Sequence, residues 1–232
     1  MTSVRNYFDD FLHLFFPHIC IGCNTDVLND DDVLCAKCIN SLPETGFLSA
    51  AGNPVEKIFY GRLNVQNAGS AFYFNKDSVI QHAIIELKYK GNQQAGIFLG
   101  RLLGQQLANS KRFEDVDFII PLPLNDKKLF KRGYNQAAII ARGIASMWSK
   151  PIIENAVERI LFTETQTHKD RVARWETMEG VFTVTQYELL RDKHVLLVDD
   201  IITTGATLEA CGDAILKIQG TKLSVATIAY TI

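Results

Sequence analysis

Apolar and polar positions change rhythm several times along this 232-residue chain. Near the start, Phe11-Leu-His-Leu-Phe-Phe16 is a short apolar run stopped by Pro17, and it reads as an amphipathic helix docking on the protein itself. A peripheral membrane contact is the alternative. Asp9 and Asp10 precede the run, and it is too short for a secretory signal. From Ile80 the spacing becomes helical. Ile80, Ala83, Ile84 and Leu87 share one face, and Gly91-Asn92 ends it. Leu99, Leu102, Leu103 and Leu107 mark a second helix. Gly96, Gly100 and Gly104 recur four apart on it, which predicts close packing against a neighbour.

Short, continuous apolar runs then alternate with helical patterns. Val116 to Ile120 reads as a buried strand ending in Pro121. Asn135 is placed to cap a helix with Ala137, Ile140, Ile144 and Trp148 on its apolar face. Ile152-Ile153, Val157 to Phe162 and Val181 to Val184 are weaker strands, and Val195 to Val198 is the strongest. A helix over Leu208 to Ile218 and a strand over Leu223 to Tyr230 close the chain. Such alternation predicts an α/β fold, a parallel sheet covered by helices on both faces. Ligands of such sheets bind beyond the carboxyl ends of the strands. The predicted units are residues 1–40, a helix and small module; 41–75, a connecting region rich in Gly and Pro in which Gly69 to Phe74 reads as an edge strand; and 76–232, the α/β domain.

Composition changes little in this picture. With 47% hydrophobic and 22% charged residues the chain can bury a large core, which excludes global disorder. A net charge of -2 advertises neither nucleic acid nor an anionic membrane, so any such partner needs a local patch.

Cysteine spacing adds a metal site. Cys20-Ile-Gly-Cys23 and Cys35-Ala-Lys-Cys38 are two knuckles close in sequence, the pattern of a four-thiolate zinc site. Disulfides and a redox pair are the competing readings. No export signal supports disulfides, and redox chemistry does not need two pairs. Four thiolates close the coordination shell, so the zinc is structural. His13 and His18 then read as packing or surface residues. The loop between the knuckles carries Asp26, Asp30, Asp31 and Asp32 and no cation, which makes it a poor place to grip phosphate. Cys211 shares a helical stripe with Leu208, Ile215 and Ile218 and reads as core.

The most informative stretch is Val195-Leu-Leu-Val-Asp-Asp-Ile-Ile-Thr-Thr-Gly-Ala-Thr207. A buried strand ends in two carboxylates, a hydroxyl-rich loop turns at a glycine, and a helix begins. The loop amides and helix start suit one phosphate. Asp199 and Asp200 suit sugar hydroxyls or a hydrated Mg²⁺. An ordinary capped turn would not ask for the two carboxylates. No Walker or dinucleotide glycine motif occurs.

This segment resembles the 5-phosphoribosyl 1-pyrophosphate (PRPP) motif of type I phosphoribosyltransferases. The resemblance implies that Asp199 and Asp200 contact the ribose hydroxyls. It also implies that Ile201, Ile202, Thr203, Thr204, Gly205, Ala206 and Thr207 cradle the 5-phosphate, with Mg²⁺ arriving with PRPP. Two further segments narrow it: Pro121-Leu-Pro-Leu-Asn-Asp-Lys-Lys-Leu-Phe-Lys-Arg-Gly-Tyr-Asn-Gln136, and Gln166-Thr-His-Lys-Asp-Arg-Val-Ala-Arg174 leading to Gly180. With the four-cysteine module, they make the chain similar to the ComF/GntX family of competence-associated proteins. Thr177 departs from the family, which has Asn three residues after the arginine matching Arg174. The resemblance implies a type I phosphoribosyltransferase-like parallel sheet with a small zinc module. It further implies a cytoplasmic role in DNA uptake, with single-stranded DNA and the DNA-uptake helicase machinery as partners.

Charge agrees with that placement. Lys127, Lys128, Lys131 and Arg132 against Asp126 give the first loop a local charge of +3. Cations there would stabilise a leaving pyrophosphate. Lys169, Arg171 and Arg174 form a second basic stretch, where such folds carry a lid. A solvated surface is the plainer reading of each. Arg132 and Arg174 are the catalytic candidates. Two functions stay open: a DNA-handling protein with a PRPP site, in which Phe130 and Tyr134 stack bases, and an active phosphoribosyltransferase.

Overall fold

The computed structural model describes residues 19–26, 28, 32–160 and 181–231. The apolar run at 11–16, His13, His18, Asp30, Asp31, Lys169, Arg171, Arg174, Thr177 and Gly180 lie outside the described residues.

A four-stranded parallel sheet in the order β1-β6-β5-β2 forms the centre. Its strands are β1 (Asn67–Phe74), β2 (Phe118–Pro121), β5 (His194–Ile202) and β6 (Lys222–Thr231). Val195, Leu196, Leu197 and Val198 are all fully buried, because both faces of β5 are covered. Alternate residues serve different cores. Leu196 and Val198 pack with Phe72, Ile80, Leu87, Leu99 and Ile140. Val195 and Leu197 pack with Phe59, Leu208, Cys211 and Ile215.

The first core is roofed by α3 (Val79–Tyr89), α4 (Gln93–Ala108) and α6 (Gln136–Met147). The second is covered by α2 (Pro54–Phe59) and α8 (Ala206–Leu216). Short α1 (Ala36–Asn40), α5 (Asp126–Arg132) and α7 (Tyr187–Leu190) complete the helices named here. The four-spaced glycines act as expected. A Cβ on Gly100 would strike the Ile140 carbonyl and one on Gly104 would lie 2.7 Å from the Ile144 carbonyl oxygen, so α4 and α6 touch backbone to backbone. Asn135 caps α6 by accepting from the Ala137 N–H at 3.0 Å.

Two expectations need correcting. Ile152 makes only an isolated bridge to Ile119. The strands β3 (Val157–Arg159) and β4 (Phe182–Val184) pair antiparallel in a separate ribbon. Each has three residues, with Val157 and Phe182 buried and Glu158 and Thr183 exposed, so they lack the two apolar faces that a central parallel strand needs. At the other edge β1 is shielded. Thr45 and Tyr73 exchange backbone bonds with Ala71 and Pro43 along its free side. Among the described residues no helix is long and apolar enough to cross a membrane.

Candidate functional site

The strand β5 runs further than its apolar core, so Asp199 and Asp200 are still in extended backbone. Asp199 lies opposite Thr227 of β6. Successive side chains of a strand point to opposite faces. Asp200, in phase with Leu196 and Val198, turns toward α3. Its Oδ2 lies 2.7 Å from Lys88 Nζ, and both side chains are largely buried, 8% and 20% exposed. Asp199 shares the phase of Val195 and Leu197, and its charge is felt by Cys211 of α8. One Asp199 oxygen accepts from the Asp200 N–H at 2.8 Å. Asp199 keeps some open surface yet sits deep among protein atoms. Burial pushes it up to about 8, with the Asp200 carboxylate adding to the rise, while Lys88 and Lys128 pull it back.

After Ile202 the chain leaves the sheet. Ile202 is buried, while Thr203, Thr204, Ala206 and Thr207 are exposed around a dent of about 60 Å³. Gly205 takes the left-handed conformation at φ 73°. A Cβ there would also meet Ile58 Cγ2 at 2.7 Å, so both backbone shape and space demand glycine. The helix α8 follows with a glycine at its N-cap, which has no side chain to cap the first turn, and the Ala206 N–H makes only a long 3.5 Å bond to Thr204 Oγ1. Its leading N–H groups and dipole are therefore offered to an anion. Arg62 braces the loop from below. Its Nη1 donates to the Thr204 carbonyl at 3.1 Å, and its other amine pairs with Glu209.

The basic segment lies on α5, whose residues are all unburied, with Phe130 94% exposed. Arg132 stacks over the Tyr89 ring at 5.5 Å. Tyr134 donates to the Leu87 carbonyl, and burial raises its hydroxyl's pKa. Arg132 and Tyr134 thus clasp the last turn of α3 on either side of Lys88. Asn135 donates to the Leu122 carbonyl at 3.0 Å, tying this segment to the end of β2. Lys128 acts on Asp199 from the same side.

The four cysteines meet as their spacing predicts. Their sulfurs all lie within 4.8 Å of one another, a span that suits thiolates around one metal ion. The Cys35 N–H donates to Cys20 Sγ at 3.3 Å. A Cβ on Gly22 would lie 2.7 Å from Cys38 Sγ, so the turn has room only for glycine. None of the four is in a disulfide, although Cys23 and Cys35 sulfurs are 3.6 Å apart. Burial opposes ionisation of Cys20, but the N–H groups of Cys35, Cys23 and Gly22 bring it down to about 6. Burial and the neighbouring thiols push Cys38 up. The donor set therefore fits a metal held by Cys20, Cys23, Cys35 and Cys38. Cys211 is fully buried, as expected of a core residue.

The structure gathers Asp199, Asp200, the 201–207 loop, Lys128 and Arg132 at the carboxyl end of the sheet. The module is not part of that gathering. It packs through Cys20, Leu34 and Cys38 against Val79, at the far end of α3, and Phe98 of α4. Sequence reading missed Lys88 and Arg62. Lys88 carries one faint signal, a cation directly after the last buried position of a helix. Arg62 sits in an irregular stretch and carries none.

A family profile described as a phosphoribosyl transferase domain matches residues 131–231. The chain is 27% identical to competence protein F of Haemophilus influenzae, over 91% of this chain and 96% of that protein. It is 30% identical to competence protein ComFC of Bacillus subtilis, over 51% of this chain but only 46% of that protein. It is 26% identical to the DNA utilization protein YhgH of Salmonella typhi, over 57% of this chain and 59% of that protein. Among solved structures, a glutamine PRPP amidotransferase from B. subtilis aligns with TM-score 0.45 at 16% identity, over 62% of this chain and 30% of its own.

Proposed function

We propose that the chain is a phosphoribosyltransferase-like protein of the ComF family, that it binds PRPP with Mg²⁺ at the β5–α8 loop, and that it uses this site in handling incoming single-stranded DNA during natural transformation. One observation carries the reading. A left-handed glycine, which gives the start of α8 no capping side chain of its own, stands directly beyond two carboxylates at the end of a buried strand. The loop amides and the exposed hydroxyls of Thr203, Thr204 and Thr207 supply donors for a phosphate. The carboxylates supply acceptors for the two ribose hydroxyls. Mg²⁺, when bound, would neutralise the pyrophosphate. In the same reading zinc occupies the four-cysteine cluster and holds the N-terminal module together.

The DNA role draws on the names of the relatives and on α5. Four cations and a bare Phe130 on one short helix supply a phosphate track and a stacking face. The protein acts in the cytoplasm, alongside DNA-uptake helicase machinery.

A second reading is favoured by Lys128, whose charge acts on Asp199, and by Arg132 on the Tyr89 ring next to Lys88. In an active phosphoribosyltransferase a nucleophile attacks C1 of the ribose as the pyrophosphate leaves with the bonding electrons. Cations at that spot would stabilise the departing charge. Isothermal titration with PRPP and Mg²⁺ tests the shared claim, and an assay for released pyrophosphate with free bases separates the two readings. Heat of binding without pyrophosphate release supports the DNA-handling role.

A further inference from the structure

We propose that Lys88 decides what the acidic pair accepts: with its ammonium on Asp200, the strand end takes sugar hydroxyls and refuses a free divalent cation, so a metal enters only on the ligand's own phosphates. This rests on the sugar-phosphate reading of the loop.

A buried ammonium is costly unless it is paired, and Lys88 has four-fifths of its side chain removed from water. Its partner Asp200 is more buried still. The contact at 2.7 Å commits Asp200 Oδ2 and leaves Oδ1 to accept from one hydroxyl. A cation coordinated by Asp200 would have to sit within a few ångströms of that ammonium, with little water between them to screen the repulsion. Asp199 cannot make a two-carboxylate site alone, since it leaves the strand on the other face and turns one oxygen to the Asp200 N–H.

Nor can Lys88 easily withdraw. Leu87 before it is fully buried and its carbonyl holds the Tyr134 hydroxyl, while Tyr89 after it lies under Arg132. The last turn of α3 is pinned on both sides, and a cation at a helix C-terminus is favoured by the backbone dipole. Ribose hydroxyls are neutral and ask for an acceptor without bringing a positive charge. The site is therefore selective for a ribose 5-phosphate group, with or without pyrophosphate.

The test uses the full chain with its zinc in place. Mn²⁺ alone is titrated by electron paramagnetic resonance into the wild type, Lys88→Gln, Lys88→Arg and Lys88→Gln/Asp199→Asn/Asp200→Asn. The expected result is a Mn²⁺ site that appears in Lys88→Gln, is lost in the triple variant, and is missing from wild type and Lys88→Arg. A wild-type Mn²⁺ site that vanishes in Asp199→Asn/Asp200→Asn would overturn the proposal even if Lys88→Gln fails to fold. So would a folded Lys88→Gln that gains no site. In parallel, ribose 5-phosphate should bind the wild type with the same affinity with and without added Mg²⁺. Binding only with Mg²⁺ would contradict the role of Lys88. No binding under either condition would bring down the sugar-phosphate reading and this proposal with it, whereas a wild-type Mn²⁺ site overturns Lys88's role alone.

Discussion

Asp199 and Asp200 are neighbours in sequence but leave β5 on opposite faces of the sheet. Asp200 meets Lys88 of α3 at 2.7 Å, and Asp199 turns to the side of α8. The two carboxylates therefore play unequal parts, one fixed in an ion pair and one deeply placed without a matching salt bridge among the described residues.

Replacing one carboxyl should cost more than replacing the other. Asp200→Asn strands the buried Lys88 ammonium, so it should destabilise the fold by about 1–3 kcal/mol more than Asp199→Asn does. Urea unfolding of both variants at neutral pH measures the difference. Equal midpoints would mean that the Lys88 pair contributes nothing.

Asp199 also predicts how stability depends on pH. Its carboxyl is held near 8 in the fold against an ordinary 3.8. Between those values the folded chain keeps a proton that the unfolded chain releases, so rising pH favours unfolding. This contribution is fully present below 3.8 and is lost as pH climbs through about 8. Asp199→Asn should flatten the corresponding slope in unfolding free energy measured without ligand. An unchanged slope would show that Asp199 titrates normally.

The cysteine knuckles, the Gly96, Gly100 and Gly104 stripe, the Asn135 cap and the β5–α8 segment are local, so spacing alone displays them. Strand β1 was visible as an edge strand for the same reason. Lys88 and Arg62 acquire their places only when distant segments pack, Lys88 on the end of β5 and Arg62 beneath the Thr204 carbonyl. The opposite facing of Asp199 and Asp200 depends on how far β5 continues past its apolar core, and an apolar pattern cannot mark that end. The short β3 and β4 were read with the main sheet because their apolar residues look alike in either setting. Pairing partners, which sequence does not display, separate them.

Metal content tests the module. The purified protein should carry about one zinc per chain. Cys35→Ser should lower that content and expose the N-terminal module to proteolysis, while leaving the sheet and its helices folded. Metal analysis that finds no zinc after anaerobic purification would remove the metal from the account.

The DNA role predicts a salt signature. Changing Lys127, Lys128, Lys131 and Arg132 to Gln should weaken single-strand binding and flatten its dependence on salt, because fewer counterions are released. PRPP should compete with the strand, since both bring phosphates to the same end of the sheet. Affinity that ignores both the substitutions and PRPP would place DNA elsewhere on the protein.

The central claim is that the end of β5 and the start of α8 form a sugar-phosphate site, and calorimetric titration of PRPP with Mg²⁺ tests it most directly. The wild type should give a saturable isotherm. Thr204→Val should weaken it by about 1–2 kcal/mol, the scale of one hydrogen bond to a charged group. Asp199→Asn/Asp200→Asn should abolish it while circular dichroism shows the fold retained. A double variant that titrates like the wild type would contradict the account.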